Sequence, residues 1–276
     1  MLNNNFFNRV DKTNQHITRV DFYPSDGTGF DLLAKEFAEH LKKHRLHPEE
    51  ILQWTEYILR NEELPESFKK KLTLVFSEGI LKDNLSTIDD DAFTGTCGQL
   101  IFYWLREAFY APEIIWKSPR RITSSSKEQG IDYFELLGDP NDFDSLSFIV
   151  WEVKATDGEV SSRTSEIYRM LKNRAPRLIR GLESQLSLDY PEEQHPVLGK
   201  FVRHLLDYWL SNEKCKKVGG AVIFSGNTIP QNVFTNFHNR FPNLASEKSR
   251  QVILINIPEF ADMRRELWKI IQSQMS

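Results

Sequence analysis

From about residue 95 onward, unbroken apolar runs alternate with stretches whose apolar residues recur every three or four positions. The run Ser147-Phe148-Ile149-Val150-Trp151 is β-branched and aromatic and stays apolar until Glu152 and Lys154. A strand with no polar alternation is expected to be buried on both faces. Gly219 to Phe224 and Gln251 to Ile257 read the same way. Gly130 to Leu137 and Glu113 to Lys117 read as shorter strands. The turn formers Gly138-Asp139-Pro140-Asn141-Asp142 join the first of these to 147–156, which predicts an antiparallel hairpin.

Helical spacing fills the intervals. Gln99 to Tyr110 is apolar on most sides and is stopped by Pro112. A long helix follows Ser161, and Pro176 inside it predicts a kink or a break. Val197 to Asn212, Val233 to Phe241 and Glu259 to about Gln272 are the remaining helical stretches. The order is helix, three strands, helix, strand, helix, strand, helix. A mixed central sheet flanked by helices is the simplest way to bury such elements, an α/β fold of the mixed α+β kind.

Upstream of residue 91 the pattern is mostly helical. Leu32, Leu33, Phe37 and Leu41 share one helix face, Pro48 opens a second helix and Pro65 a third through Ile80. Thr18 to Tyr23 is a short strand, Asp26-Gly27-Thr28-Gly29 a turn, and the polar residues 1–16 are expected to be ordered only in part. Asp89-Asp90-Asp91 reads as a surface connection. The expected division is therefore 1–91, a helical region suited to docking a partner through exposed Phe22, Tyr23 and Trp54, and 92–276, the main domain.

Composition narrows this little. Forty per cent hydrophobic and 27% charged residues are ordinary for a globular chain, and the net charge of −4 neither favours nor excludes a polyanion partner. Cys97 and Cys215 have no Cys or His neighbour at zinc spacing. The first residues show no leader pattern and no apolar run reaches membrane length, so the expected location is cytoplasmic.

The chemistry is expected at the end of the hairpin. Glu152 and Lys154 sit two apart, on one side of the pleat, at the close of an otherwise apolar strand. Antiparallel pairing brings Asp132 beside Glu152. Two adjacent carboxylates repel, and a cation between them offsets the repulsion. Hard oxygen ligands suit Mg²⁺, which commonly uses one or two carboxylates plus water and phosphate. A neighbouring lysine can stabilise charge developing on that phosphate. The plainer alternative is a salt-bridged strand end with Asp132 as a turn cap. Downstream, Arg163, Arg169, Lys172, Arg174, Arg177 and Arg180 form a basic stretch, and Lys117, Arg120, Arg121 and Lys127 precede the hairpin. Both suit phosphate contacts to DNA, or a solvated or protein-binding face.

At these residues the chain resembles the PD-(D/E)xK nuclease superfamily, with Ile131-Asp132 as the first half-motif and Glu152-Val153-Lys154 as the second. With Gly98-Gln99-Leu100 and Tyr103-Trp104-Leu105 on the preceding helix, and a helical N-terminal region, it looks like the nuclease-subunit family of Hachiman antiphage systems. The resemblance implies a restriction-endonuclease-like core and metal-dependent DNA hydrolysis. It implies Asp132, Glu152 and Lys154 as catalytic residues, and Asp132, Glu152 and the Val153 carbonyl as ligands of Mg²⁺ (or Mn²⁺). It also implies a superfamily 2 helicase, an ATPase, as partner subunit. Gln99 stands where many such nucleases carry glutamate, and Glu107 lies about two turns further along that helix. The rival expectation is a non-catalytic subunit that keeps the fold and binds DNA or the helicase.

Other candidates are weaker. Tyr168 is either a stacking residue or core. His40, His44 and His47 fall at helical spacing without a completing ligand, so solvated or capping roles are expected. Ser124-Ser125-Ser126 lacks His and Asp partners, and Gly219-Gly220 precedes its strand rather than following it. With no nucleotide motif visible, energy coupling is expected to come from a partner.

Overall fold

The structure, a computed structural model, describes residues 7–12, 17–22, 35, 38–39, 41–43, 45–77, 80, 88–110, 114–118, 132–211, 214–226, 233–234, 237–241, 244 and 249–275. Among the described residues seven strands form one sheet: β1 (Phe7–Lys12), β2 (Ile17–Phe22), β3 (Ile114–Ser118), β4 (Tyr133–Leu137), β5 (Ser147–Thr156), β6 (Lys216–Phe224) and β7 (Arg250–Asn256). The spatial order is β1-β2-β7-β6-β5-β4-β3. The centre, from β2 through β7 and β6 to β5, is parallel, and antiparallel pairs β1–β2 and β4–β3 close the two edges. The sheet is therefore mixed, as the element order requires.

The described helices are α1 (Pro48–Arg60), α2 (Glu66–Ser77), α3 (Asp90–Tyr110), α4 (Val160–Asp189), α5 (Pro196–Val202), α6 (Leu205–Leu210), α7 (Phe237–Arg240) and α8 (Phe260–Met275). They cover both faces of the sheet. On one face Tyr133, Ile149, Trp151, Val153, Ala155, Ile223 and Ile253 pack with α1, α2, α3 and α8. On the other, Phe134, Leu136, Phe148, Val150, Val218 and Val222 pack under α4, α5 and α6. Alternate residues of a strand point to opposite faces, so this double covering is why the strands read as continuously apolar.

Several expectations change. Residues 7–12, expected to belong to a polar, partly ordered stretch, form the edge strand of the sheet by pairing with β2. The first 91 residues are thus partly sheet, and their helices bury Trp54, Leu72 and Phe76 in the same core as Leu100 and Ile255. Trp54 is not an exposed docking aromatic: it is buried against Phe76, with the Lys42 ammonium over its ring. Phe22, Tyr23 and most of the 30–45 stretch lie outside the residues whose side chains are described.

The acidic run is the start of α3, not a connection. The Asp89 carboxylate accepts the Ala92 N–H at 3.2 Å, and Asp90 and Asp91 lie in the first turn, where acidic charge favours a helix. The helix then runs through Gly95 and Gly98. Gly98 is needed for packing: a Cβ there would sit 2.5 Å from the Ala155 Cβ. Helix α4 is not broken at Pro176 and stays helical for 30 residues. Its buried stripe, Ile167, Leu171, Ala175, Ile179 and Leu182, holds it on the sheet across the proline. The expected 197–212 helix divides at Arg203–His204 into α5 and α6. The expected 233–241 helix shortens to four residues.

One ion pair fixes α3 to the sheet. Arg106 donates to both Glu135 oxygens, at 2.7 and 2.5 Å, and the Trp151 indole N–H reaches Oε2 at 3.2 Å. All of this is buried. Arg106→Met would strand the Glu135 charge, and the expected loss is about 3–5 kcal/mol of stability. Arg106→Met with Glu135→Leu should recover most of it, because an apolar pair replaces a buried ion pair at little cost. Urea midpoints of the two variants measure the difference.

Candidate metal centre

The hairpin delivers the candidate residues to one place. Tyr133 pairs with Trp151, so Asp132, one residue earlier, falls opposite Glu152 just before β4 begins. Asp132 fills the gap left in the sheet plane. Its Oδ2 accepts the Val153 N–H at 2.7 Å, standing in for the ladder partner that β4 no longer supplies. A residue's N–H and C=O point to the same side of a strand, so the Val153 carbonyl faces this gap too.

Helix α3 holds Asp132 from the opposite side. The Gln99 amide donates to Oδ1 at 2.6 Å, and the Tyr103 hydroxyl donates to the Asp132 main-chain carbonyl at 2.5 Å. Gln99, Tyr103 and Arg106 lie four and three residues apart, which places them on one helix face. That face grips Asp132 twice and Glu135 once. Glu107, on the same helix, has a side chain outside the described set.

Glu152 and Lys154 share the α4 face of the sheet by the pleat. Lys154 Nζ lies 2.6 Å from Glu152 Oε1, and it is a quarter exposed while Glu152 is fully buried. That contact is an ion pair. No donor among the described residues is aligned for a hydrogen bond to either Glu152 oxygen.

The electrostatics follow from this crowding. Burial pushes the Glu152 carboxyl up to about 8, the Asp132 charge pushes the same way, and Lys154 and Arg174 only partly oppose them. Burial also raises Asp132, against the Lys154 charge, the Val153 N–H and the Gln99 amide. For Lys154 burial disfavours the charge, but Asp132, Glu152 and Glu166 outweigh it and hold the ammonium above its usual range. Burial, with Asp132 close by, keeps the Tyr103 hydroxyl protonated far above its ordinary value.

The cations of α4 do not form one patch. Successive residues turn by about 100°, so Arg163, Arg174 and Arg177 lie on one flank of the buried stripe, with Glu166 among them. Arg169, Lys172 and Arg180 point away from that flank. Arg174 acts on Glu152, and Arg163 is bonded to Glu166 at 3.0 and 3.1 Å. Tyr168 is core, edge-on to Phe234 and Phe241. Lys117 is half-buried on β3, while Arg120, Arg121 and Lys127 lie outside the described residues, as do His40, His44 and Ser124 to Ser126. His47 precedes α1 and donates its main-chain N–H to Glu50 at 2.7 Å, a capping role.

Tyr103, Arg106 and Arg264 were not foreseen as site residues. Arg264 of α8 makes a bidentate bond to Asp157, at 3.0 and 2.8 Å, just beyond the end of β5. The polar spacing 99, 103, 106 on a helix otherwise crowded with aromatics was the available signal for the first two.

No protein-family model matches this chain, and no curated protein matches it. The site therefore has to be read from its own chemistry. Among the described residues no cluster of three or more His, Cys, Asp or Glu side chains is arranged to hold a metal. Two carboxylates and one backbone carbonyl remain as donors. They fit a hard cation, because a fully buried carboxylate with no aligned donor on either oxygen lacks the partners that burial normally demands.

The Glu152 environment makes a pH test possible. Its folded value of about 8 lies above the ordinary 4.5, so between them the folded chain retains a proton that the unfolded chain releases. Stability then falls as pH rises through that window. Glu152→Gln removes the dependence. With a chelator present, the variant should gain on the wild type by up to about 1.4 kcal/mol per pH unit between about pH 5 and pH 8. Denaturation curves that run parallel over this range would show that Glu152 is not held this way.

Proposed function

We propose that the chain is a metal-dependent DNA nuclease, the effector subunit of an antiphage defence complex that works with a superfamily 2 helicase. The observation that carries the hydrolytic reading is a contrast between two glutamates. Glu135 and Glu152 are both fully buried on neighbouring strands. Glu135 is met by Arg106 and Trp151, whereas Glu152 has Asp132 and Lys154 beside it and no aligned donor. A buried carboxylate raised by burial and a neighbouring carboxylate, with one ammonium beside it, has the pattern of a functional-site candidate.

Asp132, Glu152 and the Val153 carbonyl would hold Mg²⁺ (or Mn²⁺). When bound, such an ion supplies positive charge to the scissile phosphate and acidifies water near it. The chain's own groups do the rest. Lys154, partly exposed at the lip of the site, meets the phosphate and stabilises charge as it develops. The Arg163–Arg174–Arg177 flank of α4 tracks the neighbouring phosphates. Gln99, Tyr103 and the Val153 N–H keep Asp132 in one orientation. Among the described residues no helix is long and apolar enough to cross a membrane.

The helicase and defence parts of the proposal rest on the resemblance at Asp132, Glu152-Val153-Lys154 and the Gln99 helix. Exposed apolar side chains on α1 and α2 are where such a partner could bind. Leu52, Ile58 and Leu59 of α1 and Leu74 of α2 are all more than half exposed.

A second reading has one observation in its favour. Both Asp132 oxygens already accept hydrogen bonds, one from the neutral Gln99. A site so arranged can be a relic in a subunit that only binds DNA or the helicase. Plasmid degradation with Mg²⁺ or Mn²⁺, with the helicase subunit and ATP present, separates the two. The nuclease reading expects EDTA to stop the reaction. Glu152→Ala and Lys154→Ala should each lower it by about 100-fold or more while the complex still assembles. Full activity in both variants, or none in the wild type, leaves the binding subunit.

The α4 flank is tested separately. Replacing Arg174 and Arg177 by alanine should weaken DNA binding and reduce the slope of log affinity against log salt by about 2. The same exchange at Arg169 and Arg180 should change the slope less.

A further inference from the structure

Glu152 has a second neighbour in the sheet, on the side away from Asp132. Its Cα partner on β6 is Gly220, and the pleat turns both residues toward α4. Gly220 brings no side chain to the space beside Glu152. Other groups take that space. A Cβ on Gly220 would lie 2.7 Å from Cε1 and 3.0 Å from Cζ of Phe234, and 3.2 Å from Cγ2 of Ile167. The edge of the Phe234 ring and a methyl of Ile167 therefore stand where a side chain at 220 would stand.

Phe234 holds this position against its own backbone preference. Its φ is +65°, in the left-handed region, which is rare for a bulky residue. Such a conformation persists only where packing over-determines it, and it clusters at functional sites. Here the ring is buried on Gly220 and meets the Tyr168 ring nearly edge-on, at 5.7 Å and 84°. Ile167 and Tyr168 are successive residues of α4 in the same apolar core. Glu152 is thus flanked unequally. Toward β4 and the strand end it has Asp132 and the Lys154 ammonium, the latter 2.6 Å from Oε1. Toward β6 it has an aromatic edge and an aliphatic methyl, which offer no ligand and no proton donor.

We infer that Phe234 is a positioning residue: its ring, seated on Gly220, closes the β6 side of Glu152 and holds the carboxylate toward Asp132. This rests on the metal-dependent reading above and adds the residue that aims its buried ligand. A carboxylate free to turn toward β6 would gain water there and would have to lose it again when a cation binds. With the ring in place neither step occurs. The apolar shell of a metal site controls water access in this way. Gly220 then has a reason of its own, since any larger residue would displace the ring.

Two exchanges remove the ring from opposite sides. Phe234→Gly deletes it and suits the left-handed backbone, so packing is lost without added strain. Gly220→Ala keeps Phe234 and pushes its ring aside. Phe234→Leu is the milder change. Phe201→Leu, in the same core beside the start of β5, is the control for lost packing alone. Mn²⁺ affinity of each full chain is read from the electron paramagnetic resonance signal of the free ion, and thermal melting shows that each is folded. Phe234→Gly and Gly220→Ala should each bind Mn²⁺ about 10–100-fold more weakly than the wild type, the usual cost of a lost supporting group. Phe234→Leu should fall between. Phe201→Leu should melt earlier and keep the wild-type affinity.

Wild-type Mn²⁺ affinity in any folded Phe234 or Gly220 variant would overturn the inference while leaving the metal site standing. So would an equal loss in Phe201→Leu, which would make the effect one of packing in general. If the wild type itself binds no Mn²⁺, the metal-dependent reading falls and the inference falls with it.

Discussion

Everything at the candidate site depends on how one face of α3 grips the start of β4. Arg106 and Glu135 make the strongest part of that grip, a bidentate ion pair with no exposure to water. Buried pairs contribute little net stability against a well-packed apolar alternative, because desolvation cancels most of the attraction. What such a pair supplies is register. It has one good geometry, and a slip of the helix by even part of a turn breaks it. Once it forms, Tyr103 and Gln99, one and two turns earlier, are brought to Asp132.

The consequence is an uneven division of hydrogen-bond donors. Glu135 receives three and Asp132 two on its carboxylate, yet Glu152 receives none that is aligned. The sheet could have satisfied Glu152 with a donor from α4, whose buried stripe covers that face with Ile167, Tyr168 and Leu171 instead. A largely apolar cover keeps the local dielectric low. That makes the carboxylate costly to ionise and strengthens any cation that comes to it.

Much of this was legible in the sequence, for definite reasons. A strand that is apolar on both faces has to be central, so β5, β6 and β7 announced themselves, and the Gly138–Asp142 turn set the β4–β5 pairing. Charge at the end of such a strand is conspicuous, which brought Glu152 and Lys154 forward and Asp132 with them. The misses share a cause in contacts distant along the chain. Residues 7–12 look like a polar tail, because an edge strand needs no continuous apolar run and is defined by the neighbour it pairs with. Pro176 argues locally for a break, but packing of Ile167 to Leu182 on the sheet outweighs the one lost bond. Trp54 seemed free because its partner, Phe76, lies on another helix. The Arg106–Glu135 pair spans 29 positions and has no local signature.

The same distant contacts explain why the site sits at this end of the sheet. The parallel strands β2, β7, β6 and β5 all end here, and β4 begins here running the opposite way. β4 pairs with β5 only as far as Trp151, so the last five residues of β5 have a partner on one side, β6, and a gap on the other. A gap in a sheet exposes main-chain groups that must be satisfied. Asp132 meets one of them, the Val153 N–H, and leaves the Val153 carbonyl beside two carboxylates. An oxygen-rich notch is therefore the outcome of ending one strand a few residues before its neighbour. Arg264 and Asp157 then pin the free end of β5 to α8, so the notch keeps its width. The geometry of the site comes from where strands stop; its charge comes from which residues on α3 and β5 face the place where they stop.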